Sequence, residues 1–511
     1  MKKLFLIMMI GTIVTACTGK SEKSDNPFFS DYKNEYKAPP FESIKNAHYL
    51  PAFEEGIKQH QAEIDSIASN PEAPTFANTI EAMEYSGELL SKVSAVFSNL
   101  QSAETNDEMD SIAKIVTPKL TEHSDNIYLN DKLFQRVRAI FDPKATLGLT
   151  PEQDRVLEKI YKRFIRSGAA LNEEQKAQLR EINKELSTLE LTFGQNILAE
   201  TNAFKKFVTN KEELKGLPEG IIEAAAEEAK KEGKEGQWLF TTSKTSFIPV
   251  LQYGENRELR KELLMAYVDR CNHDNQNDNK PVINKIMKLR VRKAQLLGFE
   301  SPAAFILDNT MAKTPDAVYS FLNKVWTPAV AKAKAEASEL QKLMDAEGKG
   351  EKLEPWDWWF YTEKLRKAKF DLDEEQLRPY FKLENVRKGV FDLTTKLFGL
   401  KYEKLEGMPV YHKDVEVFKV TDADGKLIGI LYTDYFPRAG KTVGAWMSNF
   451  QEQYIKDGVN QRPIIVNVGN FTKPTADKPS LLTMDEVETL FHEFGHALHG
   501  LLANSTYPSL S

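Results

Sequence analysis

Cysteine is scarce in this sequence: 511 residues hold two, Cys17 and Cys271. A disulfide framework is therefore excluded, and stability has to come from core packing. No apolar run reaches the roughly 20 residues that a membrane-spanning helix requires. No basic block or Lys/Arg stripe occurs either. The two signs of charge are mixed along the chain and the net charge is −7, which argues against nucleic acid as a partner. No internal repeat of the period that marks a solenoid is visible. What remains is an ordinary globular composition, 41% hydrophobic and 28% charged, with enough chain for about two to four domains or one large two-lobed unit.

The first residues form a separate unit. Met1-Lys2-Lys3 is basic, Leu4 to Ala16 is apolar, and Val14-Thr15-Ala16-Cys17 follows. A short apolar run behind a basic start fits an export signal rather than a span. Its end resembles the lipobox of bacterial lipoproteins, which implies removal of residues 1–16 and a lipid on Cys17. Residues 17–26 then read as a solvated tether. The expected location is the bacterial cell envelope, lipid-anchored on its periplasmic or surface side. The alternative is a soluble secreted protein with Cys17 at the cleavage point by chance. Cys271 has no motif around it and reads as a buried, inert thiol.

From 27 to 407 the pattern is mostly helical. Leu179, Ile182, Leu186, Leu189, Phe193 and Ile197 recur at steps of three and four, with Glu and Lys between them. Asn70-Pro71-Glu72-Ala73-Pro74-Thr75 and Leu217-Pro218-Glu219-Gly220 interrupt that pattern. The Asn/Asp-rich stretch Asn272 to Asn279 reads as a plain connection, since no ligand spacing supports a cation site there. Trp356, Trp358, Trp359, Phe360 and Tyr361 read as core.

The texture changes over 408–511. Val415 to Val420 alternates like a half-exposed strand, Asp422-Ala423-Asp424-Gly425 supplies a turn, and Leu427 to Tyr432 and Pro463 to Val468 supply two further strands. Beyond them Thr483-Met484-Asp485-Glu486 has the form of a capping box. Val487, Leu490, Phe491, Phe494, Leu498, Leu501 and Leu502 keep helical spacing behind it. Inside that predicted helix lies His492-Glu493-Phe494-Gly495-His496. Histidines four apart differ by about 40° and about 6 Å along the axis, so both imidazoles face one metal ion, and neutral ring nitrogens suit zinc. Glu493 projects beside that position, as a base for water should. His499 is about 10 Å from His492 along the axis, too far to share one tetrahedral ion, and is assigned a supporting or packing role.

The stretches HEFGHALHG (492–500), DYFPRAGKTVGAW (434–446), PWDWWFY (355–361), LRKAKFDLDEEQLRPYF (365–381) and NPEAPTFANTIEAME (70–84) make the chain resemble the thimet oligopeptidase family of zinc metallopeptidases. In texture it is nearest to the bacterial peptidyl-dipeptidase (dipeptidyl carboxypeptidase) and oligopeptidase A branches. The resemblance implies a mainly α, two-lobed, zincin-like fold with a channel between the lobes and a small sheet beside the HExxH helix. It implies His492 and His496 as zinc ligands, Glu493 as the catalytic base, one Zn²⁺ per chain, short peptides as substrates, and a monomer. Its third ligand, a glutamate on a following helix, would fall past Ser511, so the 511-residue chain is expected to hold zinc weakly and turn over little. By the same resemblance Arg438 and Lys441 flank the channel-facing segment and would hold a peptide carboxylate; the alternative reading is a solvated surface pair. The competing reading is a non-catalytic peptide-binding or scaffold envelope lipoprotein with an incomplete zinc site.

Overall fold

A computed structural model describes residues 25–348, 350–371, 374–475 and 477–511. The expected signal segment, Cys17 and nearly all of the expected tether lie outside the described residues. Asn26, the last tether position, is buried: its Oδ1 accepts the Phe28 N–H and its Nδ2 donates to His48 O at 2.9 Å. Asn26 is therefore part of the packed fold rather than of a solvated tether. Among the described residues no helix is long and apolar enough to cross a membrane.

The longer helices are α1 (Asn46–Ala68), α2 (Glu88–Ala103), α3 (Asp107–Tyr128), α4 (Asp131–Phe141), α5 (Pro151–Arg166), α6 (Glu173–Ala203), α7 (Glu219–Lys231), α8 (Lys244–Tyr253), α9 (Arg257–Val268), α10 (Lys280–Leu296), α11 (Pro315–Ala346), α12 (Trp358–Phe370) and α13 (Leu383–Phe398). Many start where the sequence supplies a cap. Asn106, Asn130, Thr150, Asn172 and Thr314 each accept the backbone N–H three residues on, pairing a donor that the helix itself leaves free. The aromatic stretch after Pro355 is core in part, with Phe360 and Tyr361 buried and Trp359 at the surface. In the Asn272–Asn279 loop, Lys280 bridges Asp274 at 3.0 Å and Asp278 at 2.7 Å, so an ammonium occupies the acidic turn.

One helix stands apart. The first half of α11 exposes Tyr319, Phe321, Leu322, Val325 and Trp326, while Leu340 and Met344 near its end are buried against α12.

The sheet begins earlier than the change of texture at 408 suggests. Its strands are β1 (Lys401–Lys404), β2 (Glu416–Thr421), β3 (Leu427–Asp434), β4 (Trp446–Gln451) and β5 (Ile464–Val468), in the spatial order β1-β2-β3-β5-β4. β3 and β5 are parallel, with Tyr432 opposite Val466, and the other pairs are antiparallel. Both faces of the sheet are covered. Val417, Ile430, Tyr432, Ile464, Val466 and Val468 pack on Tyr49, Phe53 and Phe97 of α1 and α2. Phe418, Val420, Leu431 and Ile465 face α13 and the final helix, α14 (Met484–Leu501). This explains why β3 reads as one continuous apolar run. It also corrects the expectation of a half-exposed strand at Val415–Val420, since β2 buries Val417 on one face and Phe418 and Val420 on the other.

Candidate metal centre

α14 is fixed at both ends and in the middle. At its start the capping box is realised: Glu486 N donates to Thr483 Oγ1 at 3.2 Å, and Thr483 N donates to the Glu486 carboxylate at 2.8 Å. Thr472 N, in the loop after β5, donates to the same carboxylate at 2.7 Å. Burial raises the Glu486 carboxyl above its ordinary range, although these donors pull the other way. At the C-terminal end Arg462 donates to Leu501 O at 2.8 Å. Gly500 lets the helix lie close on the sheet, because a Cβ there would sit 2.5 Å from Met447 Cε and 2.7 Å from Ile465 Cδ1.

Leu490, Phe494, Ala497 and Leu501 form the buried stripe of α14, narrower than the sequence pattern, since Phe491 and Leu502 stay partly exposed. His492, His496 and His499 are exposed, and Glu493 is partly so. The His492 and His496 rings have centroids 5.0 Å apart at 78°. Two imidazoles converge from successive turns beside a carboxylate, on a face open to solvent. Neutral imidazole nitrogens bind zinc at about 2.0–2.1 Å, so this donor set fits two positions of a tetrahedral ion. Among the described residues no group of three or more His, Cys, Asp and Glu comes together to hold a metal.

Arg438 and Lys441 lie elsewhere in character. Lys441 has no exposed side-chain surface, and its ammonium donates to Asp434 O, Asp434 Oδ1 and Phe436 O, each at 2.9 Å. All three of its donors are taken. Arg438 grips Asp434 with two bonds, of 2.9 and 2.6 Å, and pairs with Glu104. Burial pushes the Asp434 carboxyl up, but the bonds from Arg438 and the charge of Lys441 outweigh it and hold it below its ordinary range. The solvated surface pair considered from the sequence is excluded, and a free carboxylate-binding role has no donor left on Lys441. The pair instead locks the loop after β3, with the Tyr411 hydroxyl donating to Asp434 at 2.7 Å.

Two residues escaped the sequence reading. Asn467 on β5 is fully buried and donates through Nδ2 to Glu493 O at 2.8 Å; the Tyr435 hydroxyl donates to Asn467 Oδ1 at 2.9 Å. The available signal was an asparagine inside the apolar run Ile464 to Val468.

A sheet-backed helix that presents two histidines one turn apart with a glutamate between them defines the class as a metal-dependent hydrolase. The profile of Peptidase family M3 matches residues 250–511. The chain is 41% identical over 487 residues to a dipeptidyl carboxypeptidase of Escherichia coli (strain K12), covering 95% of this chain and 71% of that protein. It is 32% identical over 472 residues to oligopeptidase A of Salmonella typhimurium (strain LT2), covering 91% and 69%. A crystal structure of a protein described as an oligoendopeptidase F matches with a TM-score of 0.45 at 16% identity, covering 87% of this chain and 62% of that one. The chain belongs to Peptidase family M3. It is a mainly α metallopeptidase whose substrates are peptides.

Proposed function

We propose that this protein is a zinc peptidase acting on short peptides, releasing C-terminal dipeptides as the name of its 41%-identical relative describes or cutting as an oligopeptidase. The observation that carries the reading is the pair of converging, exposed imidazoles on α14 with Glu493 beside them. His492 and His496 would hold the zinc through neutral nitrogens. A zinc ion there supplies Lewis acidity to the scissile carbonyl and to a water. Glu493 accepts the proton of that water at its carboxylate and hands it to the departing amine. The buried stripe of α14 and its tie to Asn467 keep the three side chains on one rigid scaffold, which favours a near-attack arrangement.

The basic start, apolar run and Cys17 support a lipid anchor at the bacterial envelope, where the protein would digest oligopeptides. The reading as a non-catalytic peptide-binding lipoprotein has less support, because nothing in such a role calls for a helix-borne glutamate between two metal-directed histidines.

Replacing Glu493 with Gln in the full-length protein tests the assignment. Zinc binding should be kept while hydrolysis of a blocked and unblocked peptide series, followed by mass spectrometry, falls by at least about 1,000-fold. Substantial remaining turnover would remove Glu493 from its role, and the products of the parent protein would separate dipeptide release from internal cleavage.

A further inference from the structure

We propose that Asn467, oriented by Tyr435, is a positioning residue for Glu493. The inference rests on the peptidase reading above and adds what holds the catalytic helix at the reacting residue.

An interior helix carbonyl accepts one N–H from four residues on and keeps a second lone pair. At Glu493 that second lone pair is taken by Asn467 Nδ2 at 2.8 Å. Among the described residues this is the one side-chain hydrogen bond between the sheet and the middle of α14; the remaining polar ties lie at Glu486 and Leu501. The direction of the amide follows from chemistry alone. A carbonyl only accepts, so the amide nitrogen must face Glu493, the amide oxygen must face Tyr435, and the tyrosine hydroxyl must donate. Tyr435 is itself buried against Phe471, with ring centroids 5.3 Å apart, and burial raises its pKa, so the hydroxyl keeps its proton across ordinary pH.

The arrangement is local to the chemistry. Asn467 shares its face of β5 with Ile465, which packs in the apolar layer between sheet and α14. A leucine there would continue the apolar layer. An amide in that layer is tolerated because both its ends are paired, and what those bonds fix is the rotation of α14 at residue 493. His492 is the preceding residue and His496 lies one turn on, so the same tie sets how the three side chains are presented. Misplacement of reacting groups by about 1 Å can cost on the order of a hundredfold in rate.

A purely structural role and a positioning role separate in one experiment on the full chain. Asn467→Leu leaves the Tyr435 hydroxyl buried without an acceptor, so it should lower both stability and kcat. The double variant Asn467→Leu/Tyr435→Phe removes both polar partners together and should recover most of the stability. We expect kcat to remain reduced about ten- to a hundredfold in that double variant, with KM within about threefold. Tyr435→Phe alone should fall between it and the parent. The cobalt(II)-substituted protein provides a readout independent of turnover: its visible absorption band should shift in both variants carrying Asn467→Leu. A double variant with parental kcat and an unchanged cobalt spectrum would overturn the inference. If the parent protein cleaved no peptide, the peptidase reading would fail by itself, and the cobalt spectrum would still decide whether Asn467 sets the geometry of the two imidazoles.

Discussion

His492 and His496 have ring centroids 5.0 Å apart at 78°, and His60 and His123 have theirs 4.9 Å apart at 64°. Ring spacing therefore says little about purpose. The second pair joins α1 to α3 through a hydrogen bond of 2.9 Å from His123 Nε2 to His60 Nδ1, and His60 Nε2 lies 3.1 Å from Ser86 Oγ. Ser86 Oγ donates to Met83 O at 2.8 Å, so it must accept from His60. The chain of donors fixes both tautomers and uses both nitrogens of His60. The first pair sits on a single helix, exposed, and among the described residues neither of its rings has a hydrogen-bonding partner. A metal-directed pair keeps its lone pairs free and accessible; the structural pair uses three of its four ring nitrogens, and is buried at His123 and half-buried at His60.

The largest expected effect tests that contrast directly. In zinc titrations followed by calorimetry, His492→Ala and His496→Ala should each weaken binding by on the order of a hundredfold or more. His123→Phe should leave zinc affinity within about twofold of the parent, since its ring belongs to the other class. Equal losses in all three variants would erase the distinction between the pairs.

The buried pair should reveal itself by pH instead. Burial, and then the neighbouring His60, push the His123 pKa down from 6.5 to about 4. Burial also lowers the pKa of His60. Glu63, three residues from His60 on α1, accepts the Gly87 N–H at 2.7 Å, and no carboxylate contributes to either shift. The folded protein therefore binds its proton later than the unfolded chain as pH falls. Stability from this group is complete above about pH 6.5 and is lost as the pH drops toward 4, by an amount on the order of 3 kcal/mol. Urea unfolding midpoints at several pH values in that window should fall accordingly, and His123→Phe should flatten the slope. A parental slope in that variant would place the acid sensitivity elsewhere.

The two pairs also mark what a sequence can disclose. His492 and His496 were legible because both lie on one helix whose start is written locally in Thr483 and Glu486 and whose buried stripe is written in Leu490, Phe494 and Leu501. The strands β2, β3 and β5 were legible for a similar reason, being short apolar runs bounded by Asp-Gly and Pro. His60 and His123 are 63 positions apart, and only the packing of α1 on α3 brings them together. The same limit hid β1 and β4, which alternate weakly, and hid the second covering of the sheet, which depends on where α13 and α14 land. Arg438 and Lys441 illustrate the reverse error. Their charges suggested solvent or ligand, but Asp434 lies buried between them, a fact set by the register of β3 rather than by the local sequence.

The smallest effect concerns the end of the buried relay. Ser86→Ala removes the acceptor of the His60 Nε2 proton without touching the contact between the rings. A donor left unpaired in a half-buried site costs about 1 kcal/mol, less than the acid-dependent term. The more telling readout is the tautomer. With Ser86 present, His60 carries its proton on Nε2, because His123 donates to Nδ1. Without it, His60 is free to reverse and donate from Nδ1 to His123 Nε2, with the His123 proton moving to its unpartnered Nδ1. Nitrogen-15 spectra of the imidazoles should show one fixed tautomer for His60 in the parent and a mixture in Ser86→Ala, while the His492 and His496 signals stay unchanged. A mixture already present in the parent would mean that the hydroxyl does not set the direction of the relay.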